Sequence, residues 1–298
     1  MRELSALAEM RSWSAAERSR SHTIGFVPTM GYLHEGHLRL VDRARELTDR
    51  VVVSIFVNPL QFGPNEDLSR YPRDLNRDRK LAAARGVDCL FVPEASAMYP
   101  SGGEAVARIV AGPAADLLEG AARPGHFTGV LTVVAKLFHI VGPDVAIFGR
   151  KDFQQAMLVK RLVRDLDFPL TIDVVPTVRE LDGLALSSRN TYLSPDARRS
   201  ALVLSRTLRA LEQTWRGGEA DPAKLQRIGM ESLRVPGVTP DYCALVDESL
   251  QPVTRLTAHT VAVVAARVGT TRLIDNVVLG EGIGADPRVP PPPVPPTA

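Results

Sequence analysis

The stretch Phe26-Val27-Pro28-Thr29-Met30-Gly31-Tyr32-Leu33-His34-Glu35-Gly36-His37-Leu38 decides how this chain is read. An apolar run from Ile24 to Val27 stops at a proline, crosses a short loop and enters an amphipathic segment led by His-x-Gly-His. The pattern predicts a strand, a turn, and a helix whose N-terminus carries two histidines beside a glycine. A helix N-terminus offers unpaired N–H groups and the positive end of its dipole to an anion. Two imidazoles add donors that can follow charge developing on a phosphate, and Gly36 lets the backbone come close. The ligand suited to this arrangement is a nucleoside triphosphate attacked at phosphorus. Histidines at i and i+3 also suit a metal, but no HExxH pattern or nearby cysteine supports one. The plainer alternative makes them polar residues at a helix start.

Working outward, 298 residues accommodate one domain of about two hundred residues and a smaller one. A composition 45% hydrophobic and 23% charged is that of a globular protein. With a formal net charge of +2, dispersed arginines and no basic block, a nucleic-acid partner is not expected. Arg2 to Ser21 mix acids and bases without a signal-peptide core, and no run of apolar residues reaches the length of a bilayer span. Cys89 and Cys243 lie in separate apolar runs without CxxC spacing and read as buried, reduced thiols. A cytoplasmic location is the expectation.

Strands and helices alternate over the first half. Strands are expected at Ile24–Val27, Val51–Val57, Cys89–Val92, Val145–Phe148 and Thr171–Val175, and helices at Gly36–Thr48, Asp74–Arg85, His126–Val141 and Phe153–Leu166. Such alternation argues an α/β fold with a doubly wound parallel sheet. After about Val178 the pattern changes: helical segments Pro195–Trp215 and Pro222–Leu233 precede three strand-like runs, Tyr242–Val246, Val261–Val268 and Thr271–Leu279. Successive strands suggest a smaller C-terminal α+β domain with an antiparallel sheet. The expected division is therefore 1–177, 178–285, and a disordered proline-rich tail at 286–298, which cannot join a ladder or a core.

In open α/β sheets, ligands bind beyond the carboxyl ends of the strands. Val51–Val57 runs into Asn58-Pro59-Leu60-Gln61, where neutral amides could orient a small polar acid without repulsive charge. Val145–Phe148 runs into Gly149-Arg150-Lys151-Asp152-Phe153-Gln154-Gln155. There a lysine can pair with phosphates, and an aspartate can accept from ribose hydroxyls or hold Mg²⁺. Read plainly, the same segment is a solvated helix start capped by Asp152. Near the domain junction, Leu186-Ser187-Ser188-Arg189-Asn190 offers two hydroxyls and a guanidinium, a mobile clamp for phosphate oxygens or a simple turn.

Seven segments together resemble the pantothenate synthetase (pantoate–β-alanine ligase) family, within the HIGH-signature nucleotidyltransferase superfamily. They are Pro28 to His37, Phe56 to Phe62, Tyr71-Pro72-Arg73, Arg123-Pro124-Gly125-His126-Phe127, Phe148 to Gln155, Pro176 to Glu180, and Leu186 to Asn190, with Asp275-Asn276 as a weaker extension. The resemblance implies a Rossmann-like N-terminal domain, a smaller C-terminal lid and a homodimer through the N-terminal domains. It implies ATP as co-substrate with Mg²⁺ carried on it, and condensation of pantoate with β-alanine through a pantoyl adenylate. By the same resemblance, Met30, Gly31, Tyr32, Leu33, His34, Glu35, Gly36 and His37 line the ATP site, completed by Gly149, Arg150, Lys151, Asp152, Val178, Leu186, Ser187, Ser188 and Arg189. His34, His37, Lys151, Ser187, Ser188 and Arg189 are the implied catalytic groups. Gln61, Gln155, Asn58 and Arg123 are the implied substrate contacts.

The chain departs from the family's pattern at three places. Leu186 replaces a methionine, a volume-conserving change. Arg150 stands where Glu or Gln is common, which puts weight on its backbone. In Asn76-Arg77-Asp78, Arg77 replaces one of two adjacent acids and leaves Asp78 alone, which puts a protein-held metal in doubt. Two other readings share parts of this sequence: a cytidylyltransferase-like enzyme, and a nucleotide-binding regulator without chemistry. The first would not need the paired glutamines. The second would not need intact His34, His37, Lys151, Ser187, Ser188 and Arg189.

Overall fold

The structure, a computed structural model, describes residues 1–64, 66–102 and 107–290. It divides into two compact units: Met1–Leu33, His37–Gly149 and Gln154–Val175 form one, while His34–Gly36, Arg150–Phe153 and the chain from Pro176 form the other.

The first unit is a six-stranded sheet of β1 (Arg2–Leu4), β2 (Ile24–Thr29), β3 (Arg50–Ile55), β4 (Cys89–Phe91), β5 (Val145–Gly149) and β6 (Thr171–Val175). Its order is β1-β4-β3-β2-β5-β6, and every neighbouring pair is parallel. The helices of this part of the chain are α1 (Leu7–Ser19), α2 (Glu35–Leu47), α3 (Leu75–Ala84), the single turns α4 (Ala95–Met98) and α5 (Glu119–Ala122), α6 (His126–Val141) and α7 (Phe153–Asp165). Side chains alternate across a strand, so β2 presents Val27 to one face and Phe26 to the other. On the first face Leu40, Val41 and Ala44 of α2 and Ala82 of α3 pack with Val27, Val51, Val53, Leu90 and Ile147. On the second, Phe26 meets Phe138 of α6 edge-on, with ring centroids 6.4 Å apart. Burying each such side chain contributes about 1.5–3 kcal/mol, and covering both faces makes the sheet doubly wound, as expected.

Strand order reverses beside β2, whose neighbours are β3 and β5. β2 runs through Pro28, where a stop was expected. Ile24 accepts from Asp144 on the β5 side, and alternate residues share that side, so the N–H that Pro28 lacks would point at β5. β5 pairs with β2 only at Gly25 and Phe26, so no ladder bond is lost. Strand β1 and helix α1 were not anticipated, since they bury only Leu4 and then Met10, Ser14 and Glu17.

In the second unit, β8 (Val238–Val246), β9 (Val261–Val268) and β10 (Thr271–Val278) form the expected antiparallel sheet, ordered β10-β9-β8. Strand β8 begins before the expected Tyr242, because a register shift between Pro240 and Tyr242 absorbs the proline. The predicted helix Pro195–Trp215 is two, α8 (Pro195–Ala201) and α9 (Val203–Arg216), joined at Leu202 where ψ opens to −14°. Leu204, Leu208 and Leu211 of α9, and Leu225 of α10 (Pro222–Ser232), close over Val264, Ala266 and Leu273.

One expectation is corrected here. Residues 286–290, read as the start of a tail unable to join a ladder or core, do both. Arg288 and Val289 form β11, parallel to β7 (Arg179–Glu180), and Val289 is buried. Asp286 accepts from Arg179 Nε at 2.6 Å. Two proline-free residues are enough for a ladder once an ion pair brings them in. The expectation for residues 291–298 lies outside the described residues. Arg179 is wholly buried and also donates to both carboxylate oxygens of Asp275, at 2.7 and 2.9 Å. Burial works against its charge, but Asp275 and Asp286 hold it protonated above the usual arginine range.

Candidate active site

The turn after β3 builds a rigid amide relay. Asn58 is buried and caps the 3-10 turn Pro59–Gln61, its Oδ1 accepting from the Leu60 N–H at 3.3 Å. Because an N–H can only donate, this contact identifies the oxygen of the Asn58 amide. Tyr99 donates its hydroxyl to the same oxygen at 2.8 Å, and burial pushes that phenol up, so it stays a neutral donor. Asn58 Nδ2 then donates to the Gly129 carbonyl and to Gln61 Oε1, both at 3.1 Å. With its oxygen taken, Gln61 presents Nε2 as a donor, 3.1 Å from the sulfur of Met30. A thioether is a weak acceptor and is readily exchanged for a substrate oxygen.

The backbone of the same turn is held separately. Arg123 donates to both oxygens of Glu66, at 2.8 and 2.6 Å, to His126 Nε2 at 3.0 Å, and to the Gln61 carbonyl at 3.3 Å. His126 Nε2 must therefore accept, so Nδ1 carries the proton and donates to the Gln61 carbonyl at 2.8 Å. Burial, then the Arg123 charge, lowers the His126 pKa to about 4, and the ring is neutral at pH 7. Arg123 and Asn58, expected among the substrate contacts, have these donors and acceptors engaged by protein and hold the Gln61 turn. Sequence reasoning missed His126 and Tyr99 as supports, although Arg123-Pro-Gly-His126 was among the segments noticed. It also missed Gly129. A Cβ there would lie 2.2 Å from the Leu60 carbonyl oxygen and 2.8 Å from Gln61 Cα, so only glycine lets α6 approach this turn.

The two adjacent glutamines at the start of α7 differ in burial. Gln154 is buried, donating to the Ala114 and Leu117 carbonyls at 2.9 and 2.8 Å and accepting from the Glu119 N–H at 3.0 Å. Gln155, the expected ligand, is only half-buried. Met30, Tyr32 and His37 are likewise half-buried beyond β2, and Leu33 is buried. Asp78 does not present a metal-binding face. It is 1% exposed, and its two oxygens accept from the Tyr32 and Leu33 N–H groups at 2.7 Å each. Burial raises its pKa although those N–H groups pull it back. No group of three or more His, Cys, Asp or Glu that could hold a metal occurs among the described residues. With both oxygens taken by backbone N–H groups, Asp78 does not fit a protein-held Mg²⁺.

The second unit carries the remaining expected groups. A Cβ on Gly36 would stand 2.9 Å from the His34 ring and 3.7 Å from Leu186 Cδ2, so the glycine makes room for the imidazole. Lys151 lies on the 3-10 turn Arg150–Asp152, with its ammonium 3.6 Å from Asp152. Asn276 of β10 fixes that turn by donating to the Arg150 and Lys151 carbonyls at 2.8 and 3.0 Å. The Arg150 side chain pairs with Glu281 and Asp286, and so is engaged by protein. Gly149, the last residue of β5 and still in the first unit, has open space where a Cβ would be. Val178 and Leu186 are buried with Val289, and the Leu186 N–H donates to the Val178 carbonyl at 2.9 Å. Ser187 Oγ accepts from the Arg189 N–H at 3.3 Å, Ser188 is buried, and Arg189 is half-buried. Both cysteines are free and buried, and burial pushes each thiol up to about 12. No described helix is long and apolar enough to cross a membrane.

The profile of the pantoate-beta-alanine ligase family matches residues 2–278. Pantothenate synthetase of Heliobacterium modesticaldum is 53% identical over 284 residues, spanning 94% of this chain and 99% of its own. A pantothenate synthetase of Thermus thermophilus is 54% identical over 280 residues, 93% of this chain and 99% of its own. A crystal structure from that organism superposes with a TM-score of 0.88 at 52% identity, covering 94% and 99% of the two chains. A Francisella tularensis pantoate-beta-alanine ligase, crystallised with beta-gamma ATP and beta-alanine, gives a TM-score of 0.76 at 36% identity over 95% and 99%.

Proposed function

Because this chain belongs to the pantoate-beta-alanine ligase family, we propose that it condenses pantoate with β-alanine through an enzyme-bound pantoyl adenylate. A pantoate carboxylate oxygen attacks the α-phosphorus of ATP, the α–β phosphate bridge breaks, and pyrophosphate leaves. The neutral amine of β-alanine then attacks the acyl carbon, AMP departs with the bond pair, and the nitrogen sheds a proton. Activation is required because oxide is a poor leaving group and AMP a good one. The observation that carries this reading is the family match over residues 2–278, which takes in His34, His37, Lys151, Ser187, Ser188 and Arg189.

The local geometry supports a division of labour. Gln61, oriented by Asn58, offers an uncharged N–H donor to an oxygen of pantoate, and Gln155 supplies the second amide. A neutral amide binds the acid without neutralising the nucleophile. His34, His37 and Lys151 stabilise charge on the phosphates more in the transition state than in bound ATP. Ser187, Ser188 and Arg189 take the departing pyrophosphate. Met30 to His37, Gly149 to Asp152, Val178 and Leu186 surround the nucleotide, the last two through backbone groups since their side chains are buried. Mg²⁺ arrives on the triphosphate. A homodimer through the N-terminal domains and a cytoplasmic location follow from the same resemblance, testable by light scattering and cell fractionation.

Product analysis with ATP, pantoate and β-alanine tests the reaction. Pantothenate, AMP and pyrophosphate are expected in equal amounts, together with pantoate-dependent exchange of labelled pyrophosphate into ATP when β-alanine is omitted. A nucleotide-linked end product would favour the cytidylyltransferase alternative. No turnover at all would leave a binding protein.

A further inference from the structure

Arg77, in the first turn of α3, lies beside the loop that leads into His34. We propose that Arg77 and Asp78 are positioning residues for the nucleotide loop, holding the Tyr32–Leu33 backbone by direct hydrogen bonds where a metal-binding acid pair would otherwise be sought. The inference rests on the nucleotide site proposed above.

Four contacts converge on two residues of the loop. Asp78 accepts from the N–H groups of Tyr32 and Leu33, at 2.7 Å each. Arg77 Nη1 donates to the Leu33 carbonyl at 2.7 Å. Its guanidinium also lies over the Tyr32 ring, 5.4 Å from the centroid, within cation–π range. Both peptide N–H groups and the carbonyl leading directly into His34 are therefore held by one turn of α3. The clamp is anchored at its base: Asp74 caps α3 by accepting from the Arg77 N–H at 3.0 Å.

The loop needs such a clamp because it is strained. Gly31 has φ of +81° and Tyr32 φ of +51°, and a non-glycine residue in that region costs about 1–2 kcal/mol. A left-handed turn exposes successive N–H groups on one side, which a carboxylate satisfies well. A Cβ at Gly31 would sit 2.9 Å from Ile55 Cγ2 and 3.1 Å from Asp78 Oδ2, so the approach of Asp78 and the glycine are matched. An acid in place of Arg77 would set two negative charges beside one carbonyl. Arginine removes that repulsion, lies 4.0 Å from Asp78, and supplies the donor the Leu33 carbonyl takes. With both Asp78 oxygens bonded to backbone, the segment suits a clamp and not a cation.

The test uses Arg77→Ala, Arg77→Lys and Asp78→Asn in the full chain, with wild-type product formation and ATP binding as reference. Arg77→Ala should lower kcat/KM for ATP in pyrophosphate exchange at least tenfold while the KM for pantoate stays within twofold. Arg77→Lys should recover part of the loss, since lysine restores the donor but not the planar stack. The Mg²⁺ concentration for half-maximal rate should not change in any variant. Asp78 is buried, so if Asp78→Asn does not fold, the half-exposed Arg77 series decides. A several-fold shift in the Mg²⁺ requirement would overturn the proposal in favour of a metal site. Equal losses toward ATP and pantoate with a lowered Tm would overturn it in favour of a general folding role. A wild-type protein that binds ATP but makes no pantothenate would sink the reaction proposed above and leave the clamp testable by ATP affinity.

Discussion

Replacing Gly129 by alanine would drive a methyl group into the turn that carries Gln61. The new Cβ would lie 2.2 Å from the Leu60 carbonyl oxygen and 2.5 Å from its carbon, against an ordinary contact of 3.4 Å or more. The obstacle is backbone, so no side-chain rotation relieves it, and the turn must retreat by about 1 Å, a misplacement that typically costs about 10²-fold in rate. The Gly129 carbonyl also accepts from Asn58 Nδ2 at 3.1 Å, so the residue that orients Gln61 shifts with it. Alanine favours the helix by about 0.5–1 kcal/mol, while overpacking costs about 1–3, leaving a net loss of at most about 2.5 kcal/mol. The variant should therefore fold, bind ATP normally by calorimetry, and lose about 10²-fold in kcat/KM for pantoate in pyrophosphate exchange. A stable variant whose pantoate kcat/KM stays within twofold of the parent would refute the reasoning, because Gln61 could not then depend on the packing of α6.

Gln61→Glu should weaken pantoate binding by about 2 kcal/mol or more while ATP binding stays near normal, since it trades the donor for a like charge beside the acid; calorimetry showing the reverse pattern would place Gln61 with the nucleotide. His37→Ala and Lys151→Ala should each slow adenylation by about 10²–10³-fold yet slow turnover of preformed adenylate less, and equal losses in both steps would point to damaged architecture. His126, neutral in the fold with a pKa near 4, binds no proton between pH 6.5 and 4 although the unfolded chain does. Stability is therefore full above about pH 6.5 and falls toward pH 4 by about 3 kcal/mol from this group, and His126→Asn should flatten that part of the denaturant-measured profile. An unchanged slope in the variant would contradict the buried neutral ring. Arg179→Met leaves Asp275 and Asp286 buried together without their cation, which should cost about 3–5 kcal/mol at pH 8. The deficit should shrink as pH falls and Asp286, whose carboxyl burial already raises, takes up a proton, and a deficit independent of pH would argue against trapped charge.

Local pattern alone determined much of this protein. The bounds of α6, β6 and β9 follow from apolar runs closed by Gly142, by Pro176 and by Gly269, because those residues punctuate structure without help from distant partners. The strand-loop-helix around His34 and His37 was legible for the same reason, and the order of the motifs was enough to suggest the chemistry. Elements that bury little were not legible: β1, α1 and β11 are held by edges and ion pairs that leave no periodicity in the sequence. Tertiary structure alone decided which polar residues face a ligand and which serve other residues. Asn58, Arg123 and Gln154 read as site residues or their neighbours, yet each bonds protein groups brought to it by the fold, such as the Gly129 carbonyl, Glu66 and the Ala114 carbonyl, whereas Gln61 presents its Nε2 because Asn58 has claimed its oxygen. Asp78 read as a remnant of a metal site and proved to hold a loop 45 and 46 residues away. Hydrogen-bond saturation depends on which groups meet across the fold. The sequence names the donors and acceptors, and only the packing says which remain unclaimed.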